Sequence, residues 1–454
     1  MNQGAKKLTE GVLWKQILFF SIPLVLSNLL QVLFNMSDIA VVGQFAGSNA
    51  LGSVGSTTTL VALFTGILIG MGSGINVIVA RFFGAQDLEN LEETVHTSLI
   101  LSALIGLALL VLGLVLANPI LLLLKTKEEL LDGAALYLRI YFLGMPATGI
   151  YNFGNAVFSA VGNTKKPLIF LSISGAVNIA LNLFFVIVCN LDVAGVAIAS
   201  AVSQWLSAIL IVVSLLRVED AYGIKPHLLK LTRSKAALVL KLGLPAGLQN
   251  AIFQVANLFI QFGVNSFSAT VVSGNSAAAN ADTMVYDTMA AVYTACGSFI
   301  GQNLGAGNME RVKKSYRISL AYSVGVGVVL GLLLEIFGRQ FLHFFSPDPA
   351  VVEAGLYRLR IMALSYWISP FMDCTISASR GLGMSFVPTV IVVLGSCLFR
   401  IAWIFTVFAF FGTLTSLYLL YMFSWTITAI AEIAYYHRVY HNVCRMYRPK
   451  ESAA

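Results

Sequence analysis

Apolar residues run along this chain in blocks of about twenty, separated by short clusters of polar and charged residues. Between Lys15 and Asp38, 22 residues pass without Asp, Glu, Lys or Arg; 25 separate Lys166 from Asp192, 24 separate Asp192 from Arg217, and 19 separate Arg380 from Arg400. About 20 apolar residues cross a hydrocarbon layer of about 30 Å as a helix. Lipid offers backbone N–H and C=O groups no water, so such blocks must fold as helices. The pattern predicts twelve, near 16–38, 55–80, 96–121, 134–158, 168–190, 193–216, 242–264, 281–301, 317–340, 354–379, 387–410 and 413–436. One such block is compatible with a buried helix of a soluble all-α protein; a dozen are not.

Composition agrees. The 454 residues are 58% hydrophobic and only 11% charged, against about 25% charged in soluble domains. That is too few charges to cover a large soluble enzyme. The net charge of +7 does not point to nucleic acid, because the bases sit in clusters between apolar blocks, the pattern of membrane topology. Twelve crossings put both termini on one side. Counting that side as cytoplasmic collects 21 of the 28 Lys and Arg, from Lys6, Lys7 and Lys15 through to Arg438, Arg445, Arg448 and Lys450; Lys125, Lys127, Arg139, Arg339, Arg358 and Arg360 fall outside, and Arg400 lies inside a helix. Asp87, Glu89, Glu92 and Glu93 make the first cytoplasmic loop acidic, but acids contribute little to orientation. The five cysteines lack metal-ligand spacing and read as small hydrophobes. The first apolar block carries no small-residue cleavage pattern and is expected to be retained.

The chain also repeats itself. A shift of 221 residues lays Gly84-Ala85 on Gly305-Ala306, Glu89 on Glu310, Arg139 on Arg360, Ile140 on Ile361, Gly162 on Gly383 and Pro167 on Pro388; a shift of 222 lays Pro23 on Pro245 and Asn28 on Asn250. Six crossings per half give the halves the same orientation, a parallel repeat about an axis along the membrane normal. The expected organisation is an N-lobe over 1–216, a cytoplasmic linker over 217–241 and a C-lobe over 242–454.

Candidate chemistry lies where polar groups interrupt the apolar blocks. Gly70, Gly72 and Gly74 follow no strand, so they read as close helix packing rather than nucleotide binding; no Walker sequence is present, and neither an enzyme nor a bound cofactor is expected. Asp38 ends a charge-free helix, in the company of Gln31, Asn35 and Ser37. An acid at membrane depth must pair, bind a cation or take a proton; the alternative is an interfacial acid reaching water. Asn178 and Asn182, four apart, share one helix face, with Asn152 and Asn155 on the helix before and Ser200 on the helix after. Carboxylate, amide and hydroxyl oxygens suit a hard cation such as Na⁺, and a carboxylate alone suits a proton; ordinary interhelical hydrogen bonding is the alternative. In the second half Asp287 and Asp373 are candidate substrate or coupling residues, Asp282 reads as interfacial, and Arg400 and Glu432 as neutralising partners. Tyr151 and Tyr293 are among the aromatic residues on helices expected to line a cavity, a surface that with acids suits organic cations.

In order along the chain, these features resemble the multidrug and toxic compound extrusion (MATE) transporters, in the bacterial branch of DinF- and MepA-like proteins. The resemblance covers roughly residues 10–440. It is carried by Pro23 through Asp38 and Gly43, Arg81-Phe82-Phe83-Gly84-Ala85, Gly301-Gln302-Asn303-Leu304-Gly305-Ala306, Gly162-Asn163-Thr164 with Pro167, Asn178 to Asn182, and Gly195-Val196-Ala197 with Ser203-Gln204. It implies two six-helix lobes forming a V around a central cavity, and antiport of amphipathic, cationic compounds against H⁺ or Na⁺ by alternating access in a bacterial inner membrane. The family's first-helix acid falls on Asp38, and its Asn, second acid and hydroxyl fall on Asn178, Asn182 and Ser200. An amide thus stands where the family has its second acid. The seventh helix has no acid between Pro245 and Gly263, where Gln254 and Asn257 are among the polar residues. Membrane lipids are the expected surroundings, without nucleic acid or an obligate protein partner. A flippase or exporter for a lipid-linked precursor or endogenous metabolite is the alternative transporter, and a non-transporting receptor or scaffold the alternative of another class.

Overall fold

A computed structural model describes residues 5–124 and 126–447; Lys125, Arg448 and Lys450 of the charge count lie outside them. The described residues form helices joined by turns and short irregular segments. In order they form α1 (Leu13–Phe45), α2 (Gly47–Gly84), α3 (Leu88–Leu123), α4 (Glu128–Phe142), α5 (Met145–Ala160), α6 (Lys165–Leu183), α7 (Asp192–Leu216), α8 (Arg233–Val264), α9 (Ala269–Gly305), α10 (Met309–His343), α11 (Pro349–Ala363) and α12 (Ser369–Gly381). Three short pieces, α13 (Phe386–Val392), α14 (Phe399–Trp403) and α15 (Ala409–Phe411), join through π-helical turns into one span, and α16 (Leu414–Tyr447) closes the chain.

Among the described residues nine helices are long and apolar enough to cross a membrane, and with their apolar side chains turned outward on α3 and α10 the chain is an integral membrane protein. The helical runs at the other three expected positions differ from simple spans. The fourth is broken at Leu143–Gly144 into α4 and α5, the tenth at 364–368 into α11 and α12, and α9 carries Asn275, Asn280, Asp282 and Asp287 along its length.

The repeat is written in the backbone as well as in the residues. Asp87 caps α3 by accepting from Asn90 N, and Asn308, 221 positions later, caps α10 by accepting from Arg311 N. Gly162 and Gly383, the same distance apart, adopt φ of +86° and +89°, a left-handed turn that glycine enters without a Cβ penalty. Gln86 and Gly307 form a second such pair, at +56° and +73°. The breaks at Leu143 and Leu364 are again 221 apart, and each half's fifth helix contains a π turn, Phe184–Val188 and Ile404–Phe408.

The chain divides into two compact units. Unit 1 contains the stretch through Lys7 and Leu26–Ala251; unit 2 contains Leu8–Val25 and the chain from Ile252 onward. Of the three seams, one lies before α1, between Lys7 and Leu8, and two fall inside helices, in α1 between Val25 and Leu26 and in α8 between Ala251 and Ile252.

Within unit 1, the first turns of α8 lie tightly on α2. A Cβ at Gly70 would stand 2.2 Å from Gly247 N, and one at Gly74 would stand 2.5 Å from Gly243 N. Two small-xxx-small faces, Gly70/Gly74 and Gly243/Gly247, thus let backbones touch, which is how helices associate where no hydrophobic effect operates between them. The linker after α7 packs on the same unit: Lys225 N donates to His96 Nε2 at 2.9 Å, and the Lys225 ammonium pairs with Glu92. Unit 2 has its own cores, one around Met289, Cys296, Ile300, Met372 and Cys374 and another around Ile260, Ile404, Leu417 and Tyr418.

Candidate ion-coupling site

Three helices of unit 1 bring together the polar residues singled out from the sequence. Asp38 lies in the last third of α1, Asn178 and Asn182 one turn apart on α6, and Ser200 on α7. The Asn182 Nδ2 amide donates to Asp38 Oδ1 and, at 3.2 Å, to Asn178 Oδ1. The Ser200 hydroxyl donates to Asp38 Oδ2 at 3.2 Å. Each carboxylate oxygen therefore accepts from a different helix. Asn178, Asn182 and Ser200 are buried and Asp38 is half-buried.

The local fold explains the precision. A Cβ on Gly175 would lie 1.9 Å from the Phe34 ring, so only glycine lets α6 approach α1 one turn before Asn178. Asn182 stands two residues before the π turn Phe184–Val188; such turns cluster at functional sites. The break between α4 and α5 frees the Leu143 carbonyl, which accepts from Trp205 Nε1 on α7 at 3.1 Å. Tyr137 and Tyr141 on α4 stack at 5.7 Å.

One atom stands out. Asn182 Oδ1 is buried without a hydrogen-bond partner, which ordinarily costs about 1–3 kcal/mol. The Asn182 nitrogen, not this oxygen, faces Asp38 and Asn178; with the amide turned over, the oxygen would join the Asp38 carboxylate, Asn178 Oδ1 and Ser200 Oγ in a set of donors of the kind a hard cation takes. No group of three or more His, Cys, Asp or Glu side chains fit for a transition metal occurs among the described residues.

The other expected residues lie apart from this cluster. Asn155 is half-buried on α5, and no hydrogen bond joins it to Asp38 among the described residues. Gln31 and Asn35 are exposed on α1. Asn152 donates to Thr148 O of its own helix at 2.9 Å. Tyr151 is buried in the unit 1 core and spends its hydroxyl on Pro167 O.

In unit 2, Gln254 is half-buried and Asn257 exposed on α8, and Asp287 is half-buried on α9. Tyr293 lies in the core, its ring 6.5 Å from that of Tyr286. Asp373 is buried on α12 and accepts from Ser369 Oγ at 3.1 Å.

Two readings of unit 2 are corrected. Asp282, read as interfacial, and Arg358, counted on the non-cytoplasmic side, are partners in a buried ion pair rather than separate charges. Arg358, 5% exposed, donates through Nε at 3.2 Å and through Nη2 to Asp282 Oδ2, and through Nη1 to Asn275. The Tyr366 hydroxyl donates to the other Asp282 oxygen, and Tyr418 donates to Asn275 at 3.2 Å. Arg358 and Arg360 are two apart on one helix, so they face different sides. Arg400, expected to neutralise an acid directly, forms no ion pair among the described residues.

Comparison with known proteins decides the family. The MatE family model matches residues 23–184 and, a second time, residues 245–406. The chain belongs to the MatE family. Membrane transport is therefore its class of activity, and the double match restates the internal repeat at an offset of 222. This MatE chain is 29% identical to the probable multidrug resistance protein YpnP of Bacillus subtilis, over 80% of its own length and 81% of that protein's. It is 24% identical to an FAD transporter of Shewanella oneidensis, over 79% and 80% of the respective lengths. It shares the fold of an outward-facing multidrug resistance MATE family transporter of the MOP superfamily, with a TM-score of 0.90, 20% identity, and coverage of 98% of this chain and 100% of that one.

Proposed function

We propose that this protein is a secondary-active antiporter of the DinF/MepA-like branch that exports amphipathic, cationic organic compounds in exchange for H⁺ or Na⁺, with Asp38 as the coupling group. The observation that carries the reading is the Asp38 carboxylate held by Asn182 and Ser200 beside an unpartnered amide oxygen. Either ion acts on the same switch. A proton on Asp38 Oδ1 would set a hydroxyl against the Asn182 NH₂, donor against donor. A cation would need the Asn182 oxygen where its nitrogen now lies. Both events turn the Asn182 amide over, exchange its bond to Asn178, and so report the ion on α1 to α6. Through linkage, what ion binding does to substrate affinity, substrate binding does to ion affinity. The work uses neither an enzyme's chemistry nor a cofactor. Twelve crossings in two six-helix halves, in a bacterial inner membrane with cytoplasmic termini, complete the reading; the repeat and the basic clusters support it.

The test is efflux of a fluorescent organic cation from vesicles, with ΔpH and ΔNa⁺ imposed separately and Asp38→Asn beside wild type. One gradient should drive efflux, and the variant should lose about tenfold or more of the driven rate, equivalent to at least ~1.4 kcal/mol. Driven flux that survives unchanged in Asp38→Asn would remove Asp38 from the mechanism. A second reading, export of an endogenous metabolite or lipid-linked precursor, is favoured by similarity to the FAD transporter; it gains if no tested cation moves under either gradient.

A further inference from the structure

Two arginines are buried in unit 2, and their surroundings differ. Arg358 is matched by an acid, an amide and two phenol rings. Arg400 is 2% exposed, in the middle of the span Phe386–Phe411. Of its five N–H donors, Nε bonds to Ser424 Oγ at 3.1 Å, while Nη2 is buried without a partner. No carboxylate lies within ion-pair distance of it among the described residues; Asp373 acts on it only at longer range.

What surrounds Arg400 is aromatic. The guanidinium lies 5.5 Å from the Phe253 ring, 4.8 Å from that of Tyr421 and 6.0 Å from that of Trp425. Such faces offset part of the cost of burying the charge but not the whole of it. The helix carrying it is interrupted on both sides by π turns, Val393–Leu398 and Ile404–Phe408, and π turns of this kind mark functional sites more often than regular helix does. A charge kept at membrane depth with no carboxylate in ion-pair contact points to a ligand that brings one.

We infer that Arg400 anchors the anionic group, carboxylate or phosphate, of a bound compound whose planar body stacks on Tyr421 and Trp425. The guanidinium fork matches either oxyanion. The rings, 5.6 Å apart and inclined by 52°, supply apolar faces beside the charge. In the conformation described the site is closed, and entry accompanies a shift of the π-interrupted span. Unit 2 thereby recognises charge of the sign opposite to that drawn by Asp38 in unit 1. Nothing in this rests on ion exchange at Asp38: binding is read without a gradient, so either idea can fail alone.

The full chain, purified in detergent, is titrated with a fluorescent coumarin carboxylate and with its methyl ester. Wild type should bind the acid about tenfold or more tightly than the ester, the size of one charge-assisted hydrogen bond. Arg400→Gln should erase that preference, Arg400→Lys should keep part of it, and Trp425→Leu should weaken both probes while leaving the acid-to-ester ratio. Repeating the comparison in phosphatidylglycerol and phosphatidylcholine nanodiscs separates sources: an Arg400-dependent loss of acid binding only in phosphatidylglycerol assigns the anion site to competition from lipid phosphate. Equal binding of acid and ester by wild type in both lipids, or an acid preference that survives in Arg400→Gln, overturns the inference. If Arg400→Gln does not yield monodisperse protein, the ratio in Arg400→Lys carries the test, and a ratio unchanged from wild type there overturns it.

Discussion

Replacing Arg358 with Met removes the charge from the buried network while keeping a stem of similar length. Asp282 would keep only the Tyr366 hydroxyl, and Asn275 only that of Tyr418. The side chains of the pair are 7% and 19% exposed, so water cannot replace what is lost. Breaking one partner of a buried pair costs about 3–5 kcal/mol, and the lost packing on the Tyr418 and Tyr421 rings adds about 1 kcal/mol. For a cooperative unit of a couple of hundred residues, each kcal/mol moves the midpoint by about 2–4 °C. Thermal unfolding of the full chain in detergent, followed by tryptophan fluorescence, should therefore show Arg358→Met lower by roughly 8–24 °C. Adding Asp282→Asn removes the stranded charge and should recover at least half of the loss. Arg360→Met, two residues along, is the control: its side chain is 63% exposed and 3.7 Å from Glu335, an arrangement worth about 0–1 kcal/mol. Equal shifts for Arg358→Met and Arg360→Met, or no recovery in the double variant, would refute the account of this pair.

Gly70→Val should abolish folded protein, because its Cβ meets Gly247 backbone that cannot give way, whereas Gly55→Ala, with open space around it, should change the melting midpoint by no more than about 1 kcal/mol equivalent; gel filtration of both variants checks this. Asn182→Asp sets a second acid against Asp38 and should make the driven flux more sensitive to Na⁺, lowering the half-saturating concentration about tenfold, about 1.4 kcal/mol. An unaltered Na⁺ response in that variant would count against the cluster as the ion site.

Most of the fold was legible because lipid permits so few backbone solutions: charge-free blocks of the right length had to be helices. The Asp38 cluster was legible for a related reason, since polar side chains are rare enough in such blocks that four of them at compatible spacings stand out. Other features had no such contrast. The breaks at Leu143 and at 364–368 leave the apolar pattern intact, because residues on either side still face apolar surroundings. Arg358 was hidden by lying near a helix end, where a basic residue ordinarily reaches water. Tyr151 looked like cavity lining because a phenol reads as polar, yet one carbonyl, that of Pro167, is enough to let it join a core. The lone position of Arg400 was invisible because sequence records which charges exist and not the distances between them.

The tight seat of α8 on α2 has a consequence for how the protein is made. The Gly70/Gly74 face emerges from the ribosome more than 160 residues before Gly243 and Gly247, at about 5–20 residues per second. For that interval the first half of the chain rests in the bilayer with a groove of backbone that its own helix does not yet cover. Biogenesis therefore has a waiting step, during which lipid or an insertion chaperone must occupy the groove and then leave it. A chain severed in the linker would need its second fragment to arrive in time to take that seat.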